Sequence, residues 1–222
     1  MHAYIIPLNK ALIANADKEN ALYQAAYLKN KFQFHGLTTT LRRNVCKSFL
    51  QKSALPSKAQ LEPIVKALWK MPQREYHYFA QELVAKYQKE FEEKDIDLLE
   101  YLIINNSWWD TVDFIAAHLA GQYFRAYPQK KEAYIKKWMS SGNMWLQRTC
   151  LLFQLKYKKE TDTVLLAEII DKLNPSKEFF INKAIGWILR EYSKTDPKWV
   201  KKFVAEHALS NLSKREALKH AS

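Results

Sequence analysis

The sequence predicts an all-α protein built as a curved stack of helical repeats, and three observations carry that prediction. The 222-residue chain holds only four glycines, Gly36, Gly121, Gly142 and Gly186, and none follows the Asn or Asp that a tight hairpin turn requires. Helix-start signals are dense. A tyrosine closes successive apolar-periodic segments at Tyr87, Tyr123, Tyr157 and Tyr192, spaced 36, 34 and 35 residues apart.

Along the chain, Ser57-Lys-Ala-Gln60, Ser107-Trp-Trp-Asp110 and Ser213-Lys-Arg-Glu216 have the form of capping boxes or their Asp variant. Asp196-Pro197 sets an N-cap before a first-turn proline, where the missing amide hydrogen does little harm. Pro56, Pro72, Pro128 and Pro175 fall between the periodic segments, and Pro63 falls inside the first turns of the helix that Ser57 starts. Seven positions before the four tyrosines stand Ala80, Ala116, Cys150 and Ile185; four before them stand Leu83, Leu119, Phe153 and Ile188. The same helical stripe is therefore apolar each time. A lone helix pair cannot bury two apolar faces, whereas stacked pairs share one elongated core and leave the second helix of each pair on a concave surface. Residues 1–222 are expected to form a single repeat domain.

Composition narrows the partner. Thirty-five Lys and Arg against 23 Asp and Glu leave a net charge of +12, which favours nucleic acid or an acidic membrane surface. The basic stripes lack an opposed exposed apolar face, so an interfacial membrane protein is the weaker reading. No run of ~18 apolar residues is free of charge, and Met1–Asp17 lacks the basic, apolar and small-residue succession of a signal peptide. A monomer in a reducing, cytoplasmic setting is the simplest expectation. Cys46 and Cys150 read as small buried hydrophobes, with no His or Cys-x-x-Cys neighbour for redox or nucleophilic work. The histidines at 2, 35, 77, 118, 207 and 220 form no cluster at ligand spacing, and there is no Gly-rich phosphate loop, so neither metal nor cofactor is expected.

Two polar stripes and one unusual segment carry the functional signal. Lys183, Trp187, Arg190 and Lys194 fall at i, i+4, i+7 and i+11, a helical face with three cations and one large aromatic that suits a phosphate backbone. Arg148, Lys156 and Lys159, at i, i+8 and i+11, repeat the pattern one unit earlier. In Asn105-Asn-Ser-Trp-Trp-Asp-Thr-Val-Asp113, Trp109 and Asp113 stand one turn apart near a helix start, an aromatic platform beside a carboxylate. The adjacent Trp108 and Trp109 would diverge by about 100° around that helix, one to the groove and one to the interior.

Several of these runs resemble the AlkD family of alkylpurine DNA glycosylases. The match passes through Ser107–Asp113, Trp145-Leu-Gln-Arg148, Phe153–Lys158, Lys177-Glu-Phe-Phe180, Lys183–Trp187, Leu189–Tyr192 and Leu212–Glu216, and extends from Ala26 to His220. The resemblance implies a HEAT-like repeat solenoid with a basic concave DNA-binding face. It implies that Trp109, Asp113 and Trp187 are catalytic, that Arg148 holds a backbone phosphate, and that Tyr27, Thr39, Arg43, Lys156 and Arg190 touch DNA; Lys183 joins them from its stripe. One departure is Thr40, where relatives carry proline in the loop after Gly36. The implied substrate is double-stranded DNA with a cationic N3- or N7-alkylated purine, such as 3-methyladenine or 7-methylguanine, hydrolysed at its N-glycosidic bond without base flipping. Such a base leaves neutral, so one carboxylate can suffice where glycosidases normally need two. The alternative is a non-catalytic helical-repeat protein that binds DNA structure or a protein partner; it has no need of a carboxylate facing the sugar.

Overall fold

A computed structural model describes residues 2–219 and is all-helical, with no strand among them beyond an isolated bridge between Gln33 and Gln73. His220, the end of the resembling stretch, lies outside the described residues. The helices arrange as the helical-repeat fold that the period predicts, and none among the described residues is long and apolar enough to cross a membrane. The chain divides into two compact units, Met1–Glu90 and Phe91–Ser222.

The first unit contains α1 (Ile5–Ala14), α2 (Lys18–Tyr27), α3 (Thr39–Cys46), α4 (Lys58–Trp69) and α5 (Arg74–Lys86). The Ser57 and Gln60 capping box forms as expected and starts α4, which carries Pro63 inside it. Its core is the apolar stripe of α4 and α5, including Leu61, Ile64, Leu68, Phe79, Ala80 and Leu83. The loop before α3 is held from two sides. The buried Glu75 carboxylate accepts the backbone N–H groups of His35, Gly36 and Leu37 at 3.0, 2.9 and 3.3 Å. From α2, Asn20 and Gln24 donate to the Gly36 and Leu37 carbonyls at 2.5 and 2.9 Å. Gly36 sits at φ +95°, and a Cβ there would run into the Asp17 carbonyl, so the position admits only glycine. Thr40 itself lies in the first turn of α3, so its departure from proline falls outside this loop, which Glu75, Asn20 and Gln24 hold.

The second unit contains α6 (Asp95–Ile104), α7 (Trp109–Phe114), a π-helical segment at Ile115–Ala120, α8 (Gly121–Ala126), α9 (Pro128–Ser140), α10 (Met144–Leu152), α11 (Thr163–Leu173), α12 (Phe179–Ser193), α13 (Pro197–Glu206) and α14 (Asn211–Ala217). At three of the four tyrosines the period has a structural cause. Tyr123 and Tyr157 donate their hydroxyls to the carbonyls of Glu93 and Gly121, each at 2.7 Å, and in the first unit Tyr87 donates to the Pro56 carbonyl. Each of these tyrosines thus closes on backbone that lies 30 to 36 residues earlier. The stripe residues before them, Ala80, Ala116, Cys150 and Ile185 and then Leu83, Leu119, Phe153 and Ile188, are all buried. Burial pushes the Tyr123 hydroxyl far up from its ordinary pKa, so it stays a donor throughout the neutral range. Tyr123→Phe, which keeps the ring and loses this bond, is expected to cost about 1 kcal/mol of stability by urea denaturation.

Local signals misled in four places. Ser107 does not cap α7; its hydroxyl donates back to the Ile103 carbonyl at 2.5 Å, and the N-cap is Trp108 in extended conformation. Trp108 therefore precedes the helix, and the 100° divergence from Trp109 does not apply. Ser213 lies inside α14, whose N-cap is Ser210, accepting from the Ser213 N–H at 3.1 Å. The Asp196 cap is found as expected, accepting from the Trp199 N–H at 2.9 Å. Finally, Arg148, Lys156 and Lys159 share no helical face, because α10 ends at Leu152. The buried Gln154 side chain turns the chain there by binding both the N–H of Asp162, at 2.7 Å, and its carbonyl, at 3.3 Å.

Candidate functional site

The chain enters α7 through Asn106, in the left-handed region at φ +49°, which Asn tolerates better than most residues. The extended Trp108 that follows packs its ring against Trp145 and Phe180, with centroids 5.7 and 5.1 Å away, and those two rings lie 5.1 Å apart. This aromatic triangle ties together the first residues of α7, α10 and α12. One turn after Trp109, on α7, stands Asp113.

Arg148 on α10 grips Asp113 with two parallel bonds, Nε to Oδ1 at 2.7 Å and Nη2 to Oδ2 at 2.9 Å. Its remaining arm, Nη1, donates to the Phe180 carbonyl at the start of α12. One guanidinium thus joins three helices, and the bidentate fork fixes the plane of the carboxylate. The side chains are 5% and 14% exposed, so the pair is largely removed from water. Burial raises the Asp113 pKa above the ordinary carboxylate value, the Arg148 bonds and charge oppose it, and the Asp110 charge adds a further upward push. Protonating Asp113 would leave the buried Arg148 without a counter-charge, so the pair is ionic at neutral pH.

The other sequence-derived residues are distributed as follows. Trp187 lies mid-way along α12 and is partly exposed, with Lys183 one turn before it and Arg190 one turn after. Those two cations both bind Glu216 of α14, Lys183 Nζ at 2.9 Å and Arg190 Nη1 at 2.8 Å. Lys194, the fourth member of the stripe, pairs with Glu191 at 2.6 Å. Lys156 is exposed in the turn after α10; burial first and the Lys156 charge second hold the His118 pKa below its usual value. Tyr27, Thr39 and Arg43 belong to the first unit and are exposed, at the end of α2 and on α3. Arg148 differs most from its sequence reading: it is a buried partner of Asp113, not a cation on an open face.

Three contributors escaped the sequence reading as site residues. Trp145 and Phe180 build the aromatic wall beside the Asp113 pair, and Glu216 occupies the cation pair of α12. No group of three or more His, Cys, Asp or Glu among the described residues could hold a metal. Cys46 and Cys150 are buried thiols, and burial pushes Cys46 up to about 12 and Cys150 further in the same direction.

Comparison with known proteins decides the family. The model of the DNA alkylation repair enzyme family matches residues 8–221. The chain belongs to the DNA alkylation repair enzymes. Among solved structures, a predicted DNA alkylation repair enzyme from Enterococcus faecalis shares its fold, with a TM-score of 0.86 and 31% identity over 92% of this chain and 96% of the other. No curated protein matches. For a DNA alkylation repair enzyme the substrate is DNA, and the +12 charge is of the sign that a polyanion requires.

Proposed function

We propose that this DNA alkylation repair enzyme is an alkylpurine DNA glycosylase of the AlkD type, hydrolysing the N-glycosidic bond of cationic N3- and N7-alkylated purines in duplex DNA. The observation that carries the reading is the largely buried Asp113 carboxylate, held ionised in a bidentate grip by Arg148 one helical turn from Trp109. An arginine-bound carboxylate is a poor proton donor, so it suits a reaction whose leaving group needs no proton. An N7-methylguanine or N3-methyladenine carries its positive charge before the enzyme arrives and departs as a neutral base.

As the glycosidic bond lengthens, positive charge grows on the deoxyribose. Asp113 stabilises that oxocarbenium-like state and aligns a water against C1′, while Trp109 and Trp187 hold the sugar by their ring faces. Lys156, Lys183 and Arg190, with Tyr27, Thr39 and Arg43, grip the backbone, and Arg148 serves as the positioning residue of Asp113. The lesion stays stacked, because this chemistry acts on the sugar and asks for no base pocket.

The test is base release from otherwise identical duplexes carrying 7-methylguanine, a bulky cationic N3 or N7 adduct, or hypoxanthine. Both cationic lesions are expected to be released and hypoxanthine retained. Efficient release of hypoxanthine would show a leaving-group acid and overturn the mechanism; release from none of the three would remove the glycosylase assignment. The rate with 7-methylguanine is expected to fall at low pH through an apparent pKa above the ordinary carboxylate value near 4, because burial raises Asp113 and only its ionised form stabilises the developing charge.

A further inference from the structure

Of the cations on α12, Lys183 and Arg190 flank Trp187, and one carboxylate meets both. Glu216 gives one oxygen to each: Oε1 to Lys183 at 2.9 Å and Oε2 to Arg190 at 2.8 Å, with the Glu216 carbonyl a further 3.5 Å acceptor for Arg190. The carboxylate is only 13% exposed, whereas Lys183 and Arg190 are 37% and 24% exposed, so the cations face outward over an anion set beneath them. Each keeps spare donors, since the ammonium has three N–H bonds and the guanidinium five. The Lys183 and Arg190 bonds hold the Glu216 pKa down at about 2, so the charge is permanent near neutrality.

Backbone packing shows whether this anion can move aside. Gly186 on α12 faces Glu216 so closely that a Cβ there would collide with the Glu216 Cβ and stand 2.9 Å from the Ser213 carbonyl. The Ser213 hydroxyl donates to the Asn182 carbonyl at 2.9 Å, locking α14 against α12 at the same level. The base of the Glu216 side chain is therefore fixed, and its carboxylate is held from there by the two cations, one on each oxygen.

We propose that Glu216 is a positioning residue that splints Lys183 and Arg190 into a fixed pair of phosphate contacts astride Trp187, and that it trims their joint charge to one positive unit. The inference rests on the reading of α12 as a DNA-facing helix given under Proposed function. It assigns the carboxylate a role that neither a surface ion pair nor a displaceable competitor would have.

The test measures binding to an undamaged duplex against salt concentration, together with single-turnover release of 7-methylguanine, for wild type, Glu216→Gln and Glu216→Asp. Glu216→Gln frees one unit of positive charge, so the log–log salt slope is expected to steepen by about one. Its release rate is expected to fall by roughly tenfold or more, because Lys183 and Arg190, no longer splinted, lose their fixed placement on either side of Trp187. Glu216→Asp keeps the charge but is too short to reach both cations; its salt slope is expected to match wild type while affinity drops several-fold. An unchanged slope in Glu216→Gln overturns the proposal, as does a gain of both affinity and rate, which would mark a competitor, or tighter binding by Glu216→Asp. If wild type itself releases no base, the glycosylase reading fails and the two binding results still decide the role of Glu216.

Discussion

Asp113→Asn is expected to slow release of 7-methylguanine by ~10²-fold or more in single turnover, the scale seen when a preorganised electrostatic group is lost. The substitution keeps the shape and one acceptor for Arg148, and removes the charge that meets the developing oxocarbenium. Affinity for duplex DNA is expected to stay nearly unchanged, because Asp113 is largely buried and contributes nothing to counterion release. Release at the wild-type rate would take Asp113 out of the mechanism, and a parallel collapse of binding would show that the variant had lost its fold.

Removing the other half of the pair has a different signature. Arg148→Ala leaves Asp113 buried with no cation and frees the Phe180 carbonyl, at an expected stability cost of ~3 kcal/mol or more. Without its counter-charge, Asp113 is driven further toward the protonated form, and base release is expected to fall by about as much as in Asp113→Asn. The salt slope of DNA binding separates this account from a phosphate contact. A cation that touches a phosphate lowers the slope by about one when removed, whereas a buried partner of Asp113 leaves it unchanged. A slope reduced by one, in protein still folded by circular dichroism, would return Arg148 to the DNA surface.

What the sequence disclosed follows the range of each interaction. The apolar stripe lies only seven and four positions before Tyr87, Tyr123, Tyr157 and Tyr192, and every one of its eight residues is buried, although Phe153 falls just past the end of α10. Caps whose partner lies three residues away, at Ser57 and Asp196, were equally legible. The same signature failed at Ser107 and Ser213, because those hydroxyls reach other backbone, the Ile103 and Asn182 carbonyls. The stripe from Arg148 to Lys159 failed because α10 ends at Leu152, and Gln154 just beyond it binds the Asp162 backbone eight residues downstream. At the site, Trp109 and Asp113 could be placed because they are one turn apart. The partnership of Asp113 with Arg148 spans 35 residues and that of Lys183 with Glu216 spans 33, so neither leaves a local pattern. Both separations equal about one repeat, which is the signal that pairing charges across the 34 to 36 residue period would have supplied.

The tyrosine closures give the fold a direction in time. Glu93 offers its carbonyl to Tyr123, and Gly121 offers its own to Tyr157; in each case the acceptor is made first and the donor 30 or 36 residues later. A ribosome that emits about 5–20 residues each second completes one such link only a few seconds after the acceptor appears. Each of these two acceptors therefore waits for the tyrosine behind it. These two closures become possible in the order in which the chain is made, the Tyr123 link before the Tyr157 link.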